Sequence, residues 1–198
     1  YSVFNLTSQF IKAGVSGLHF EDQLASEKKC GHMGGKVVIP THEYIKKLNS
    51  ARLSSDVLGS PVVLIARTDA LHASLITSDF DDDDREFLSN KRTSDGYFSI
   101  KDNHGLAIKK ALRYAEYADV IWCEANTPDL GFAKEFADEI RKVFPDKILA
   151  YNCSPSFNWV GKFSENEIKE FQKNLFELGY KLQFVSLAGF HSLASSMY

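Results

Sequence analysis

Val62-Val63-Leu64-Ile65-Ala66-Arg67 is a run of five apolar residues that ends at an arginine. Four other short runs share its richness in Val, Ile, Leu and Phe, at residues 15–21, 120–124, 148–152 and 182–187. They are nearly continuous rather than alternating, which is typical of strands buried on both faces of a parallel sheet. The sequence therefore predicts five buried parallel strands.

Amphipathic helical patterns separate these runs and give the chain a repeating strand–helix order. They cover residues 41–58, 106–118 and 129–144, and a fourth begins at a capping box of Ser164 and Glu167 and ends at Gly179. This alternation predicts an α/β fold with right-handed crossovers. An open doubly wound sheet and a TIM-type (β/α)8 barrel both fit the pattern. A barrel would be partial, because a complete one needs eight strands and about 250 residues.

The length and composition are those of a single globular domain. The chain has 198 residues, of which 44% are hydrophobic and 25% charged, and a net charge of −3. Nothing in that charge indicates binding to nucleic acid or to an anionic membrane surface. No apolar run approaches the roughly 20 residues that cross a bilayer, and the first residues lack the basic segment of a signal peptide. Three cysteines without framework spacing favour a reducing compartment over secretion.

One polar stretch, residues 77–103, interrupts the strand–helix order. It predicts a long inserted loop of the kind that often covers an active site. The run of four aspartates from Asp81 to Asp84 lies inside it. Because the run lacks the spacing and the glycine of an EF-hand, we expect a solvated loop rather than a calcium site.

Reactive side chains follow each of the five predicted strands. They are Glu21 and Asp22, Arg67 to Asp69, Glu124, Asn152 to Ser156, and Ser186. The carboxyl ends of parallel strands meet at one edge of the sheet, where the active sites of such folds lie. The pattern therefore predicts an enzyme.

The sequence Lys28-Lys29-Cys30-Gly31-His32 places a thiol among cations, and Lys36 adds a fourth. Positive neighbours lower the pKa of a cysteine and favour the thiolate, which can accept a proton. The glycines of this segment would let the backbone approach a ligand and let the loop move. The alternative is a lysine-rich surface loop with an incidental cysteine. We refer to residues 28–35 as the cysteine loop.

Two further groups of polar residues suggest ligand contacts. The hydroxyls and amides of residues 152–158 suit a carboxylate held without excess charge, or else form an ordinary turn. Glu21, Asp22 and Glu124 offer oxygen ligands for Mg²⁺, directly or through water, with salt bridges as the alternative. Arg67 follows an apolar strand, and a buried arginine is normally paired, here with Glu124 or with a substrate carboxylate.

Five motifs together resemble the isocitrate lyases, and they extend in order over essentially the whole chain. They are the segments 17–23 (GLHFEDQ), 28–32 (KKCGH), 65–70 (IARTDA), 151–159 (YNCSPSFNW) and 187–191 (LAGFH). The resemblance implies a TIM-type barrel, a homotetramer with exchanged C-terminal helices, and Mg²⁺-dependent cleavage of isocitrate to succinate and glyoxylate in the glyoxylate cycle. It also implies a cytoplasmic or glyoxysomal (peroxisomal) location.

The resemblance assigns a role to each matching residue. Cys30, on a mobile loop, would exchange a proton with the succinate carbon, with His32 and Glu124 beside it. Glu21 would hold the metal through water, and the direct aspartate ligand would lie upstream of this chain. Substrate binding would fall to six residues: Gly31, Arg67, Asn152, Ser154, Ser156 and Ser186.

Two features separate this chain from a complete member of the family. Ser186 stands where the family usually has threonine, and the strands expected before residue 15 and the helices expected after Met197 are missing. We therefore expect residues 1–198 to be the central part of one barrel domain, inactive by itself. A 2-methylisocitrate lyase and a non-catalytic remnant of the barrel remain alternatives. Lys28-Lys29 before the cysteine favours isocitrate over 2-methylisocitrate, and fusion to a malate synthase stays open.

Overall fold

The computed structural model describes residues 2–198 and contains seven α-helices and nine β-strands within them. In chain order they are α1 (Ser2–Lys12), β1 (Gly17–Glu21), β2 (Lys36–Val38), α2 (Thr41–Val57), β3 (Val63–Thr68), β4 (Ala73–Ile76), α3 (Asp82–Arg85), β5 (Leu88–Arg92), β6 (Phe98–Ile100), α4 (Asn103–Tyr114), β7 (Val120–Cys123), α5 (Leu130–Val143), β8 (Ile148–Asn152), α6 (Glu165–Glu177), β9 (Tyr180–Phe184) and α7 (Ala188–Ser196).

Five parallel strands form the main sheet, in the order β1-β3-β7-β8-β9. The register pairs Glu21 with Arg67 and Arg67 with Trp122, so the carboxyl ends of the first three strands lie level. The predicted α/β fold with five strands of a partial (β/α)8 barrel is confirmed. Within residues 2–198, strands β1 and β9 are the two edges of this sheet.

The three central strands, β3, β7 and β8, are almost wholly buried because both of their faces are covered. Leu64 and Ala66 of β3 pack towards the helices, whereas Ile65 points to the other face. There Ile65 joins a smaller cluster with Val120 and Trp122, which would be the barrel interior. This two-sided burial removes the alternation of polar and apolar residues that a half-exposed strand shows.

Side-chain caps fix where several helices begin. Asp102 accepts a hydrogen bond from the backbone N–H of Gly105 (3.0 Å), and Asp129 accepts one from Phe132 (3.0 Å). Helix α4 therefore begins three residues before the predicted 106 and ends earlier, at Tyr114. The predicted capping box at Ser164 is present at the start of α6.

The C-terminal part differs from the sequence prediction. The last strand is β9, which ends at Phe184, rather than residues 182–187. Leu187 instead adopts the left-handed conformation (φ 63°) at the start of α7, a helix that the apolar pattern did not reveal. No residue of α7 is buried.

Residues 77–103 form secondary structure rather than the predicted irregular loop. They contain α3 and the antiparallel pair of β5 and β6, which joins β2 and β4 in a second sheet of order β2-β4-β6-β5. The prediction of a solvated aspartate run is wrong as well. Asp84 is fully buried, and it accepts hydrogen bonds from the backbone N–H (2.8 Å) and hydroxyl (2.7 Å) of Thr41. Its carboxylate also pairs with Lys110 at 3.3 Å, so it anchors α3 to α2 and α4.

Within residues 2–198, every helix is too short or too polar to span a lipid bilayer.

Candidate active site

A cavity of about 400 Å³ opens at the carboxyl ends of the main-sheet strands. The residues around it come from the main-sheet strands and the segments that follow them, and from the cysteine loop. They are His19, Cys30, Gly31, His32, Arg67, Trp122, Glu124, Asn152, Phe184, Val185, Ser186 and Leu187. Seven of the ten predicted site residues are therefore brought together here.

Arg67 lies at the centre of the charged part of the cavity. Its Nε and Nη2 atoms donate to the two oxygens of Asp69 at 2.8 and 3.0 Å, and its guanidinium lies 4.7 Å from the centre of the Trp122 ring. Glu21 (3.4 Å) and Glu124 (3.9 Å) are more distant partners. The predicted pairing with Glu124 is present at 3.9 Å, and the fork to Asp69 is a closer contact that the sequence did not predict.

The electrostatics of Arg67 and Asp69 follow from this pairing. Burial by itself would lower the pKa of Arg67, but the hydrogen bonds and charge of Asp69 outweigh burial and raise that pKa. Burial by itself would raise the pKa of Asp69, but the hydrogen bonds and charge of Arg67, with those of Lys36, hold that pKa below its usual range. Both groups are therefore charged over the whole physiological range.

Glu124 is the cavity acid whose proton affinity is increased. Burial raises the pKa of its carboxyl, and the charge of Arg67 and a hydrogen bond from Asn152 only partly oppose this. Oε1 accepts from Asn152 Nδ2 at 3.2 Å, whereas the buried Oε2 has no hydrogen-bond partner among residues 2–198. A buried carboxyl oxygen without a partner can bind a ligand or carry a proton.

Asn152 is oriented by its neighbours. The Ser186 hydroxyl donates to Asn152 Oδ1 at 2.8 Å, which turns the amide nitrogen towards Glu124. The same nitrogen lies 3.4 Å from His32 Nε2. Burial lowers the pKa of His32, with further lowering by the charges of Arg67 and Lys36, so a neutral ring can accept at Nε2. These contacts form a polar line from Ser186 to Glu124.

Cys30 is the exposed thiol of this site, and the other two cysteines are buried. Two of the four cations predicted around it are already paired with carboxylates: Lys28 with Glu21, and the fully buried Lys36 with Asp69 at 2.8 Å. The thiol therefore has fewer free positive neighbours than the sequence suggested.

Gly31 brings the cysteine loop into direct contact with the charged residues. A Cβ atom at this position would lie 2.5 Å from Glu124 Oε1 and 2.7 Å from Arg67 Nη2. Such distances are far inside van der Waals contact, so a larger residue here would force the loop, or the side-chain ends of Glu124 and Arg67, to shift.

Three predicted site residues do not line the cavity. Ser154 is fully buried, and its hydroxyl accepts from the backbone N–H of Ser156 at 3.2 Å. Ser156 Oγ lies 3.1 Å from His191 Nε2 at the surface. The Ser154 hydroxyl thus contributes a contact within the turn after β8, whereas the Ser156 hydroxyl contacts a residue outside it. Glu21 contributes through its contacts with Lys28 and Arg67.

The cavity residues do not by themselves compose a complete coordination set for a metal ion. Glu21 is the carboxylate predicted to hold the metal, and it is engaged by Lys28 and Arg67. Its oxygens fit only the outer role of accepting hydrogen bonds from metal-bound water. Among residues 2–198, the one cluster of three metal-ligating side chains is His42, Asp81 and Asp83, none of which lines the cavity.

Sequence reasoning missed several residues of the cavity wall. His19 and Trp122 lie two residues before the polar ends Glu21 and Glu124, so each shares the inner face of its strand with that end. Burial and the positive charge of Arg67 lower the pKa of His19. The sequence did offer a signal for these two residues. Alternate residues of a strand face the same side, so the residue two positions before each polar strand end should line the same cavity. Nothing local indicated the role of Asp69.

Comparisons with known proteins agree on one family. A family model described as "Isocitrate lyase family" matches residues 1–91 and 87–197. An isocitrate lyase of Corynebacterium efficiens is 55% identical over 197 residues, which is 100% of this chain and 46% of that protein. An isocitrate lyase of Escherichia coli K12 is 53% identical over 197 residues, again 100% of this chain and 45% of that protein. The chain thus spans about half the length of these curated relatives.

A solved structure shows the same fold at lower identity. Oxaloacetate acetylhydrolase in complex with 3,3-difluorooxalacetate matches with a TM-score of 0.66 and 24% identity, over 98% of this chain and 52% of that chain. At this identity the match supports the fold alone.

Proposed function

The chain belongs to the isocitrate lyase family, and on that premise we propose that the complete protein cleaves isocitrate to succinate and glyoxylate. The observation that carries the proposal is the convergence of Cys30, Arg67, Glu124 and Asn152 on one cavity. An exposed thiol, a fixed cation, an acid of raised proton affinity and an oriented amide are what this cleavage requires.

The reaction is a retro-aldol cleavage. The isocitrate hydroxyl loses its proton, the adjacent carbon–carbon bond breaks, and its electron pair remains on the succinate carbon. The Cys30 thiol delivers a proton to that carbon, and in the condensation direction its thiolate removes one. Glu124 lines the same cavity, and its Oε2 atom has no hydrogen-bond partner among residues 2–198, so it can exchange a proton with the substrate oxygen.

Binding of the carboxylates falls to Arg67 and Asn152. Asp69 uses Nε and one N–H of Nη2, so the remaining N–H groups of Arg67 are available to the glyoxylate end. Asn152, held by Ser186, offers an amide to the succinate end. We assign Ser154 and Ser156 the support of this loop, and their direct contact with succinate would require the turn after β8 to move.

We propose Mg²⁺ as the metal of the complete protein, with Glu21 holding its water. When bound, the ion would supply positive charge near the substrate oxygen on which negative charge develops. The residues of this chain do not complete its coordination, and no step is assigned through it. We further propose a homotetramer, supported by α7, on which Phe190 is 67% and Leu193 65% exposed.

The test is the turnover of the purified full-length protein with isocitrate and with 2-methylisocitrate, followed through the glyoxylate or pyruvate released. Isocitrate should be preferred and Mg²⁺ required. Faster turnover of 2-methylisocitrate would replace the proposed substrate, and turnover of neither would reject the proposed activity.

A further inference from the structure

Lys36 is a fully buried lysine whose ammonium group has two partners. Nζ donates to the backbone carbonyl of Gly31 at 3.0 Å and to Asp69 Oδ1 at 2.8 Å. Lysine is rarely buried without such partners, because removing an ammonium group from water is costly. One of these partners belongs to the cysteine loop, and the other lies at the end of β3.

Asp69 carries the connection onward. The oxygen that Lys36 binds, Oδ1, also accepts from Arg67 Nη2 at 3.0 Å, while Oδ2 accepts from Arg67 Nε. One carboxylate therefore joins the cavity arginine to the lysine that holds the loop. Asp69 is itself fixed, since its backbone N–H donates to the buried Asp22 at 2.8 Å.

The cysteine loop is held on both sides of Cys30. Gln23 donates to the Lys29 carbonyl at 3.0 Å and accepts from the Lys29 backbone N–H at 3.0 Å. Lys36 holds Gly31 on the other side. The Gln23 contact fixes the loop to the segment that follows β1. The Lys36 contact fixes it, through Asp69, to the end of β3.

We propose that Lys36 is a positioning residue that couples the seating of Cys30 to the Arg67–Asp69 pair, a role that rests on the proposed function. It holds the Gly31 carbonyl at the distance that lets the loop backbone rest against Glu124 and Arg67. A ligand that binds Arg67 therefore affects, through Asp69 and Lys36, the position of the loop that carries the thiol. The coupling is mechanical, because Lys36 does not itself line the cavity.

The chain offers a closely matched control in Lys110. That lysine is also fully buried, donates to a backbone carbonyl (Ile39, 2.8 Å) and pairs with a carboxylate (Asp84, 3.3 Å), but it has no contact with the cysteine loop. Lys36→Met and Lys110→Met in the full-length protein remove the same charge and the same kinds of contact. Both should be destabilised, and only the first should lose its loop position.

The principal readout is alkylation of Cys30 by iodoacetamide, followed on the peptide that contains Cys30; the other two cysteines of residues 2–198, Cys123 and Cys153, are buried. In the wild type and in Lys110→Met, saturating succinate with glyoxylate should slow alkylation by about tenfold or more. In Lys36→Met this protection should largely disappear, and the rate without ligand should differ from that of Lys110→Met by about threefold or more. Its kcat should fall about 100-fold while KM changes little, as expected for a misplaced catalytic group.

Protection and kcat in Lys36→Met equal to those of Lys110→Met would overturn the proposal. If Lys36→Met does not fold, as judged by circular dichroism, Lys36→Arg takes its place with Lys110→Arg as the control. The bulkier guanidinium keeps the charge but displaces the Gly31 carbonyl, so only Lys36→Arg should lose protection, and equal behaviour of the two would again overturn the proposal. Failure of the wild type to cleave isocitrate would reject the proposed function instead, and the ligand-free alkylation rates would still decide the role of Lys36.

Discussion

Gly31 and Glu124 approach each other so closely that the space between them excludes even a methyl group. An added Cβ at Gly31 would lie 2.5 Å from Glu124 Oε1 and 2.8 Å from Glu124 Cδ. The backbone of the cysteine loop at Gly31 therefore packs directly against the carboxyl group of Glu124. A side chain at position 31 would displace either the loop or the carboxyl group of Glu124.

The first prediction follows from this contact. In the full-length protein, Gly31→Ala should lower kcat about 100-fold, because the added Cβ must displace either the loop that carries Cys30 or the side chains of Glu124 and Arg67 in the cavity. Gly34→Ala is the control, since an added Cβ there meets nothing within 4 Å. Steady-state kinetics of both variants, with thermal unfolding as a check of folding, decides the matter. Equal kcat values for the two would contradict the observed contact.

Cys30→Ser should reduce turnover by at least about 100-fold, because a hydroxyl has too high a pKa to exchange protons with carbon near neutrality. Its unfolding temperature should be unchanged, since the side chain is exposed. Cys153→Ala removes a buried thiol outside the cavity and should cost some stability while activity remains. More than about a tenth of wild-type activity in Cys30→Ser would remove Cys30 from the mechanism.

Arg67→Lys should weaken the use of glyoxylate in the condensation direction, because an ammonium group cannot form the fork that now holds Asp69. The KM for glyoxylate should rise at least about tenfold, with a smaller effect on that for succinate. Arg113→Lys, at an ion pair with Asp83 remote from the cavity, is the comparison. A selective rise in the KM for succinate instead would exchange the two proposed carboxylate positions.

Glu124 should make the stability of the protein depend on pH. Burial raises its pKa above the ordinary 4.5, so the folded state holds this proton more tightly than the unfolded state does. The resulting stabilisation is complete below pH 4.5 and is lost as the pH rises through the higher folded-state pKa.

Glu124→Gln removes this titration. Thermal unfolding from weakly acid to neutral pH should show the variant gaining stability relative to the wild type as the pH rises. Glu177→Gln, at an exposed position, should run parallel to the wild type. A difference between Glu124→Gln and the wild type that is independent of pH would mean that Glu124 titrates as an ordinary carboxyl.

Residues 1–198 expressed alone should be inactive and prone to aggregate. The main sheet has two unpaired edges within the described chain, and α7 buries none of its residues. Isocitrate cleavage and thermal unfolding, with and without Mg²⁺, test this directly. A soluble segment that melts cooperatively and is active would show that the site is complete without further strands.

The parts of the structure that the sequence predicted depend on local pattern. Buried parallel strands have a composition of their own, and the convergence of their carboxyl ends follows from the parallel order, so Arg67, Glu124 and Asn152 could be grouped in advance. The start of α6 could be predicted because Ser164 and Glu167 form a contact three residues apart.

The parts that it did not predict depend on contacts between distant segments. Asp84 appeared to be one of four solvated aspartates, and only folding brings it to Thr41, forty-three positions away. Lys36 and Asp69 likewise form a buried pair across thirty-three positions. The second sheet was missed because β5 (LSNKR) and β6 (FSI) lie in a polar stretch and lack the continuous apolar runs that revealed the main sheet.

Leu187 has a consequence for how this protein can be improved. It lines the cavity, yet its φ of 63° lies in a region that costs a leucine about 1–2 kcal/mol and a glycine almost nothing. A search for thermostable variants would therefore be drawn to glycine at this position, and it would strip away part of the wall that encloses the ligand. At position 187, glycine would favour the stability of the folded protein, whereas leucine favours closure of the cavity. Engineering for heat tolerance should therefore leave Leu187 unchanged.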